Sequence, residues 1–144
     1  MKLVPIGREE KAVAILYALL GERTAEQSIS HKGMPSWDEH EAFVRSNPYQ
    51  AWYLLQEGDE YVGSVYLSKQ REIGIFIFER YARRGYGRQG VELLMQRWPG
   101  RFLANINPAN GRSIEFFQKL GFRHIQNTYA IDTNQMRVVG EVGQ

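Results

Sequence analysis

The feature that most limits what this chain can become is the run Glu72–Phe78, followed within a few residues by Arg83-Arg84-Gly85-Tyr86-Gly87-Arg88. A run this rich in Ile and Phe is expected of a strand covered on both faces, which requires helices above and below a sheet. The glycines beyond it let the backbone turn tightly and aim several N–H groups at one point. Val91, Leu94, Met95 and Trp98 then recur at helical spacing, so the turn sits at a helix start. The helix dipole places roughly half a positive charge there. With three arginines added, the segment is suited to an anion, and a pyrophosphate is its natural guest. Taken alone, the same residues also read as a tight strand–helix turn with solvated arginines. The spacing is not that of a P-loop, because no G-K-[ST] follows, and it lacks the third glycine of a dinucleotide fingerprint.

The rest of the chain supplies the layers. Lys2–Ile6 reads as a first strand. Ala12, Ile15, Leu16 and Leu19 mark a helix that Gly21 is expected to end, and Thr24–Pro35 reads as a polar loop. Ser36-Trp37-Asp38-Glu39 is a capping-box pattern, predicting a second helix from Trp37 with Trp37, Phe43 and Val44 on its apolar side. Ala51–Gln56 and Tyr61–Leu67 read as strands joined by a turn at Gly58-Asp59. Beyond the Arg/Gly segment come a helix ended by Pro99-Gly100, a strand at Phe102–Ile106 and a helix over Asn110–Leu120 stopped by Gly121. Phe122–Ile131 and Met136–Val139 are expected to close the sheet as a hairpin. The predicted order is β-α-α-β-β-β-α-β-α-β-β, an α+β layered fold around one mixed sheet.

Composition narrows the function. At 144 residues, the chain fits a single domain spanning 1–144. A formal net charge of +2 is too small to argue for a nucleic-acid partner. The chain has no cysteine, which removes disulfides, thiolate metal sites and a Cys nucleophile and suits a cytoplasmic protein. The longest apolar stretch, Ala12–Leu20, is too short for a membrane span, and Glu9 and Glu10 stand where an export signal would be positively charged. No metal site is expected.

A second segment, Asn107 to Phe122, gives the first its meaning. With the Arg/Gly loop it resembles the GCN5-related N-acetyltransferase (GNAT) superfamily. The loop is similar to that family's R/Q-x-x-G-x-G/A pyrophosphate loop after the fourth strand. The segment from Asn110 is similar to its N-x-x-S-x-x-F-Y-x-K-x-G-F helix. The resemblance covers Glu72–Phe122 by motif and the remainder by element order. It implies a three-layer fold with four helices and a sheet of about seven strands, splayed between the fourth and fifth. It implies acetyl-CoA as cosubstrate, with pantetheine along Ile75, Phe76, Ile77 and Phe78 and the pyrophosphate on the amides of Arg83, Arg84, Gly85, Tyr86, Gly87 and Arg88. Asn110 and Ser113 match positions that touch the cofactor, and Phe116 and Phe117 would wall the pantetheine arm. Two positions depart from the pattern. Ala82 replaces the motif's first Gln or Arg, and Phe117 replaces the Tyr that often serves as general acid.

The same resemblance implies direct attack of an amine on the thioester, with a base near the fourth strand. Glu72, at the head of that strand, is the first candidate; a solvent-exposed carboxylate paired with Arg71 is the plain alternative. His40 and His31 are alternatives, because histidine as a residue type suits general-base work near neutral pH. A strand N–H around Phe76 or Ile77 would hold the oxyanion. The acceptor side is expected in the first two helices and their loop, with His31, Trp37 and Trp52 lining it and Tyr53 or Tyr66 as further aromatic walls. Asp38-Glu39-His40-Glu41-Ala42-Phe43 is similar to a stretch in members that acetylate protein N-termini or nucleotide-linked amino sugars, where it follows a first helix containing Arg, here ending near Arg23. An ordinary amphipathic helix reads equally well. The expected partners are acetyl-CoA and a primary amine, with neither nucleic acid nor membrane, and an exposed strand edge leaves room for a homodimer. A CoA-binding module without catalysis is the competing reading.

Overall fold

The computed structural model describes residues 1–26 and 33–134. Four strands, β1 (Lys2–Pro5), β2 (Ala51–Glu57), β3 (Glu60–Leu67) and β4 (Ile73–Ile77), form one antiparallel sheet in sequence order. Four α-helices accompany it among the described residues: α1 (Ala12–Glu26), α2 (Trp37–Arg45), α3 (Tyr86–Arg97) and α4 (Gly111–Lys119). Short 3-10 turns at Ile6–Arg8 and Glu79–Tyr81 follow β1 and β4.

Strand alternation sorts the side chains onto two faces. Tyr53, Leu55, Val65, Leu67 and Ile73 build one core with Val91 and Leu94 of α3 and Phe117 of α4. Leu54 and Phe78 build the other with Ala12, Leu16 and Leu19 of α1 and Val44 of α2. The sheet is therefore covered on both sides, as the apolar run in β4 requires.

Local chemistry explains the elements. The capping box is formed: Ser36 Oγ accepts from Glu39 N–H at 3.1 Å, and Glu39 Oε1 accepts from Ser36 N–H at 3.3 Å. Gly58 turns the β2–β3 hairpin with φ +62°. Gly21 does not end α1, which continues to Glu26. A glycine inside a helix costs only about 1 kcal/mol relative to alanine, too little to stop the helix here. The apolar side of α2 is also narrower than expected: Val44 and His40 are buried, but Trp37 and Phe43 are 42% and 46% exposed.

The expected sheet of about seven strands is not what the described residues form. Phe102–Ile106 makes a single parallel bridge, Glu72 to Leu103, with Ile73 N–H donating to Leu103 O at 2.8 Å and Leu103 N–H to Arg71 O at 2.9 Å. Phe102, Ala104 and Ile106 still pack on the core, so alternation survives while the backbone leaves β4. Residues 122–131 enter no ladder, and Ile125, Tyr129 and Ile131 are exposed. Their apolar alternation predicted a strand, but no sheet edge receives it. Met136–Val139 lies outside the described residues. No described helix is long and apolar enough to cross a membrane.

Candidate active site

The site is built where β4 ends and its neighbour departs. Phe78 N–H donates to Val62 O, toward β3, whereas Ile73 N–H points the other way, to Leu103. Alternation along an antiparallel ladder then turns the backbone groups of Ile75 and Ile77 outward, and those of Gly74 and Phe76 toward β3. Beyond the bridge at Leu103, Ile75 and Ile77 thus offer N–H and C=O groups to the opening between β4 and the 102–106 segment. Of the four residues expected to carry pantetheine, these two turn their backbone toward the opening; the main chain of Phe76 and the N–H of Phe78 serve the sheet, while Phe78 O accepts from Tyr81 N–H. A backbone N–H facing the opening is found at Ile75 and Ile77, whereas that of Phe76 faces β3.

At the mouth of this opening sits the Arg/Gly loop. Arg83 and Gly85 both adopt the left-handed conformation, with φ +63° and +81°. Gly85 is the N-cap of α3 and offers no side-chain cap. The first intrahelical bond is Gln89 N–H to Gly85 O, so the N–H groups of Tyr86, Gly87 and Arg88 are left to an external acceptor. A Cβ on Gly85 would meet nothing within 4 Å, so the space over the turn is open. Arg83 and Arg88 are exposed and pair with Glu79 and Glu92 one helical turn away, at 3.3 and 2.7 Å, while Arg84 lies over the Tyr81 ring. Free amides, the end of a helix dipole and three arginines fit a pyrophosphate, and the missing side chain at Ala82 removes none of the amides.

Motif residues on α4 divide. Asn110 is the helix N-cap, its Oδ1 accepting from Ser113 N–H at 3.1 Å. Phe116 stands beside Gly87 and Ile77, its ring 3.5 Å from where a Gly87 Cβ would lie, and so walls the opening. Phe117 stacks on Phe116 at 5.0 Å but is 7% exposed and belongs to the core.

Glu72 lies at the closed end of the opening. Its Oε2 accepts from Asn105 Nδ2 at 2.6 Å, tying β4 to the departing segment. It does not pair with Arg71, whose guanidinium donates to the carbonyls of Trp98 and Arg101 and lies over Phe102. Arg71 thereby fixes where the departing segment begins.

On the α1/α2 face of β4 there is a cavity of about 90 Å³. Leu16, Leu19, Leu20 and Arg23 of α1, His40 and Phe43 of α2, and Tyr49, Trp52, Ser64, Tyr66 and Phe76 line it. His40 is 5% exposed, with its Nε2 3.0 Å from Val13 O; as donor there it leaves Nδ1 as an acceptor. Tyr49 stacks on Tyr66 with centroids 3.9 Å apart and planes 3° from parallel. Burial first, then the neighbouring Tyr66 phenol, pushes the Tyr49 phenol up to about 12. The buried Trp52 Nε1 has no partner among the described residues. Arg23 lies 4.1 Å over the Phe76 ring, and no carboxylate lines the cavity among the described residues. Trp37 packs on Tyr17 outside it, and His31 lies outside the described residues. A larger hollow of about 580 Å³ lies at Met1–Pro5 and Arg97, distant from the loop.

Sequence reasoning did not single out Tyr49, Ser64 or Asn105 for the site, and it reached Arg23 only as the end of the first helix. Tyr66 carried a further signal beyond its aromatic ring, a glycine at position 74 in an otherwise bulky strand.

The Acetyltransferase (GNAT) family profile matches residues 16–122. An acetyltransferase from Thermus thermophilus superposes with a TM-score of 0.71 at 22% identity, covering 88% of each chain. A ribosomal-protein-alanine N-acetyltransferase from Brucella melitensis gives 0.70 at 14%, covering 88% of this chain and 86% of its own. An aminoglycoside N-acetyltransferase crystallised with CoA gives 0.69 at 18%, covering 91% and 93%. A sequence search of curated proteins found no match. With the profile covering most of its length and the loop and helices in the order that profile requires, the chain belongs to the GNAT family of acetyltransferases, which draw their acetyl group from acetyl-CoA.

Proposed function

We propose that the chain acetylates the primary amine of a small metabolite by direct attack within a ternary complex. The observation that carries this reading is the pairing of free amides at Tyr86–Arg88 with an open edge at Ile75 and Ile77, while the cavity lies on the opposite face of β4. Donor and acceptor would then meet through the sheet opening. The pyrophosphate would rest on the loop, and Phe116 would flank the thioester arm. Ile75 or Ile77 N–H would face the developing oxyanion. From Glu72 to the end of β4 a strand advances about 3.3 Å per residue, so the carboxylate stands roughly one extended arm from the loop. There Glu72 would take the amine's proton, directly or through water. His40, with Nδ1 available, is the second candidate base.

The cavity favours one kind of acceptor. A polycation such as an aminoglycoside needs carboxylates, and none lines it among the described residues; Arg23 would repel a second cation. Aromatic walls, an unpaired indole N–H and a guanidinium suit the end of a molecule carrying a planar or anionic group beside its amine. A nucleotide-linked amino sugar has that chemistry, with only its amine-bearing end entering so small a space. The likeness to the Brucella ribosomal-protein-alanine N-acetyltransferase supports a protein N-terminus as the alternative acceptor. Phe117, standing in place of the family's usual Tyr proton donor, favours the non-catalytic module. A thiol-release screen with acetyl-CoA across amino sugars, their nucleotide conjugates, peptides, polyamines and aminoglycosides decides among these. Turnover greatest with an anionic amine is expected; preference for polycations, or CoA binding with no turnover on any amine, contradicts the reading.

A further inference from the structure

Phe117 cannot protonate a leaving thiolate, and Tyr66 is a tyrosine whose ring lies across β4. Tyr66 in β3 is paired with Gly74 in β4. A Cβ built on Gly74 would fall 2.0 Å from Cε2 and 2.2 Å from Cζ of the Tyr66 ring. The ring therefore lies across β4 in the space that any other residue at position 74 would fill. Its hydroxyl-bearing carbon is over Gly74, and the C–O bond continues past it. Cross-strand Cβ positions in such a pair are about 5 Å apart, close to the reach from a Tyr Cβ to Cζ. Oη is thus carried over the outer half of β4, toward the edge that parts from the 102–106 segment. Along that edge Gly74 lies between Glu72 and the outward groups of Ile75. Tyr49 stacked beneath the ring holds it there.

We propose that Tyr66 is the proton donor to the departing sulfur, an inference that rests on the acetyl-transfer reading. The amine nitrogen bonds to the carbonyl carbon and gives its proton to Glu72. The C–S bond breaks with its electron pair on sulfur, and sulfur takes the proton of Tyr66 Oη. The phenolate then recovers a proton from Glu72 through water, so protons and electrons balance and both groups are reset. Among the described residues, the titratable and charged groups around Tyr66 are Tyr49, His40 and Arg23 in the cavity and Glu72 at the head of β4. Tyr49 stays protonated throughout the working range and can donate to the Tyr66 phenolate, and Arg23 opposes its negative charge.

The test compares the full chain with Tyr66→Phe, which keeps the ring. Two readouts are used: the pH titration of the thiol of bound CoA, followed by thiolate absorbance, and turnover of acetyl-CoA with hydroxylamine as the probe amine. In the wild type, a donor at sulfur holds the bound thiol below its ordinary value of about 8.5. In Tyr66→Phe that depression disappears, kcat falls about 10²-fold with KM for acetyl-CoA within about twofold, and the alkaline limb of the rate profile is lost. Equal thiol titration in the two proteins, or a fall in kcat with the alkaline limb intact, overturns the proposal. Should the wild type neither bind CoA nor release thiol, the acetyl-transfer reading itself falls and the role of Tyr66 with it.

Discussion

Single side chains carry most of the testable chemistry. Tyr49 holds its proton more strongly than a free tyrosine does. Burial penalises its phenolate, and the Tyr66 phenol beside it adds to the effect, so it titrates at about 12 against about 10 for a free tyrosine. Stability should be unaffected below about pH 10 and fall as pH rises toward 12, because the unfolded chain releases the proton first. Urea midpoints measured across that window, with Tyr49→Phe as control, check this; an equal decline in the variant would contradict it. Glu72→Gln retains an oxygen for Asn105 yet cannot take a proton, so kcat should fall by about 10²-fold or more with the melting temperature nearly unchanged. Unchanged turnover would remove Glu72 from the reaction. Gly74→Ala must push the Tyr66 ring aside, and overpacking of this kind costs about 1–3 kcal/mol. A chemical melt should show that loss.

Elements explain why parts of the fold were readable and others were not. The α2 start was legible because a capping box is a local device whose partners lie within four residues; Ser36→Ala should cost about 1 kcal/mol by urea denaturation. The β2–β3 hairpin and the buried β4 were legible for the same reason, through Gly58 and the Ile/Phe run. The 102–106 segment was not. Its alternation predicts a strand, but whether a strand pairs depends on tertiary anchors, here Arg71 bonded to two carbonyls thirty residues away in sequence or nearly so. Residues 122–131 illustrate the same limit, since alternation says nothing of which edge is free. Within the site, the loop residues were legible because glycine and arginine spacing is itself the signal. The meeting of Arg23, Tyr49 and Ser64 was not, because a helix, a loop and a strand must fold before they share one cavity. The Arg/Gly turn has its own test. Gly85 needs a left-handed backbone, and Gly85→Val should weaken CoA binding about tenfold, as strain of roughly 1–3 kcal/mol predicts. Unaltered affinity by calorimetry would show that the turn is not used.

On the scale of the molecule, two cores on opposite faces clamp one sheet, and the sheet is closed by only one bridge on the β4 side among the described residues. On the proposed reading, that asymmetry would let donor and acceptor reach one strand from opposite faces. Cations near the loop are exposed and screened by salt, so they should steer the anion while the amides hold it. Affinity for CoA should therefore decline only modestly as ionic strength rises. The most direct measurement of the central claim is an amide-resolved NMR titration with CoA. The account predicts saturable shifts at Tyr86, Gly87 and Arg88 together with Ile75 and Ile77. Shifts confined to the hollow at Met1–Pro5 and Arg97, or no saturable shift at the α3 amides, would contradict it.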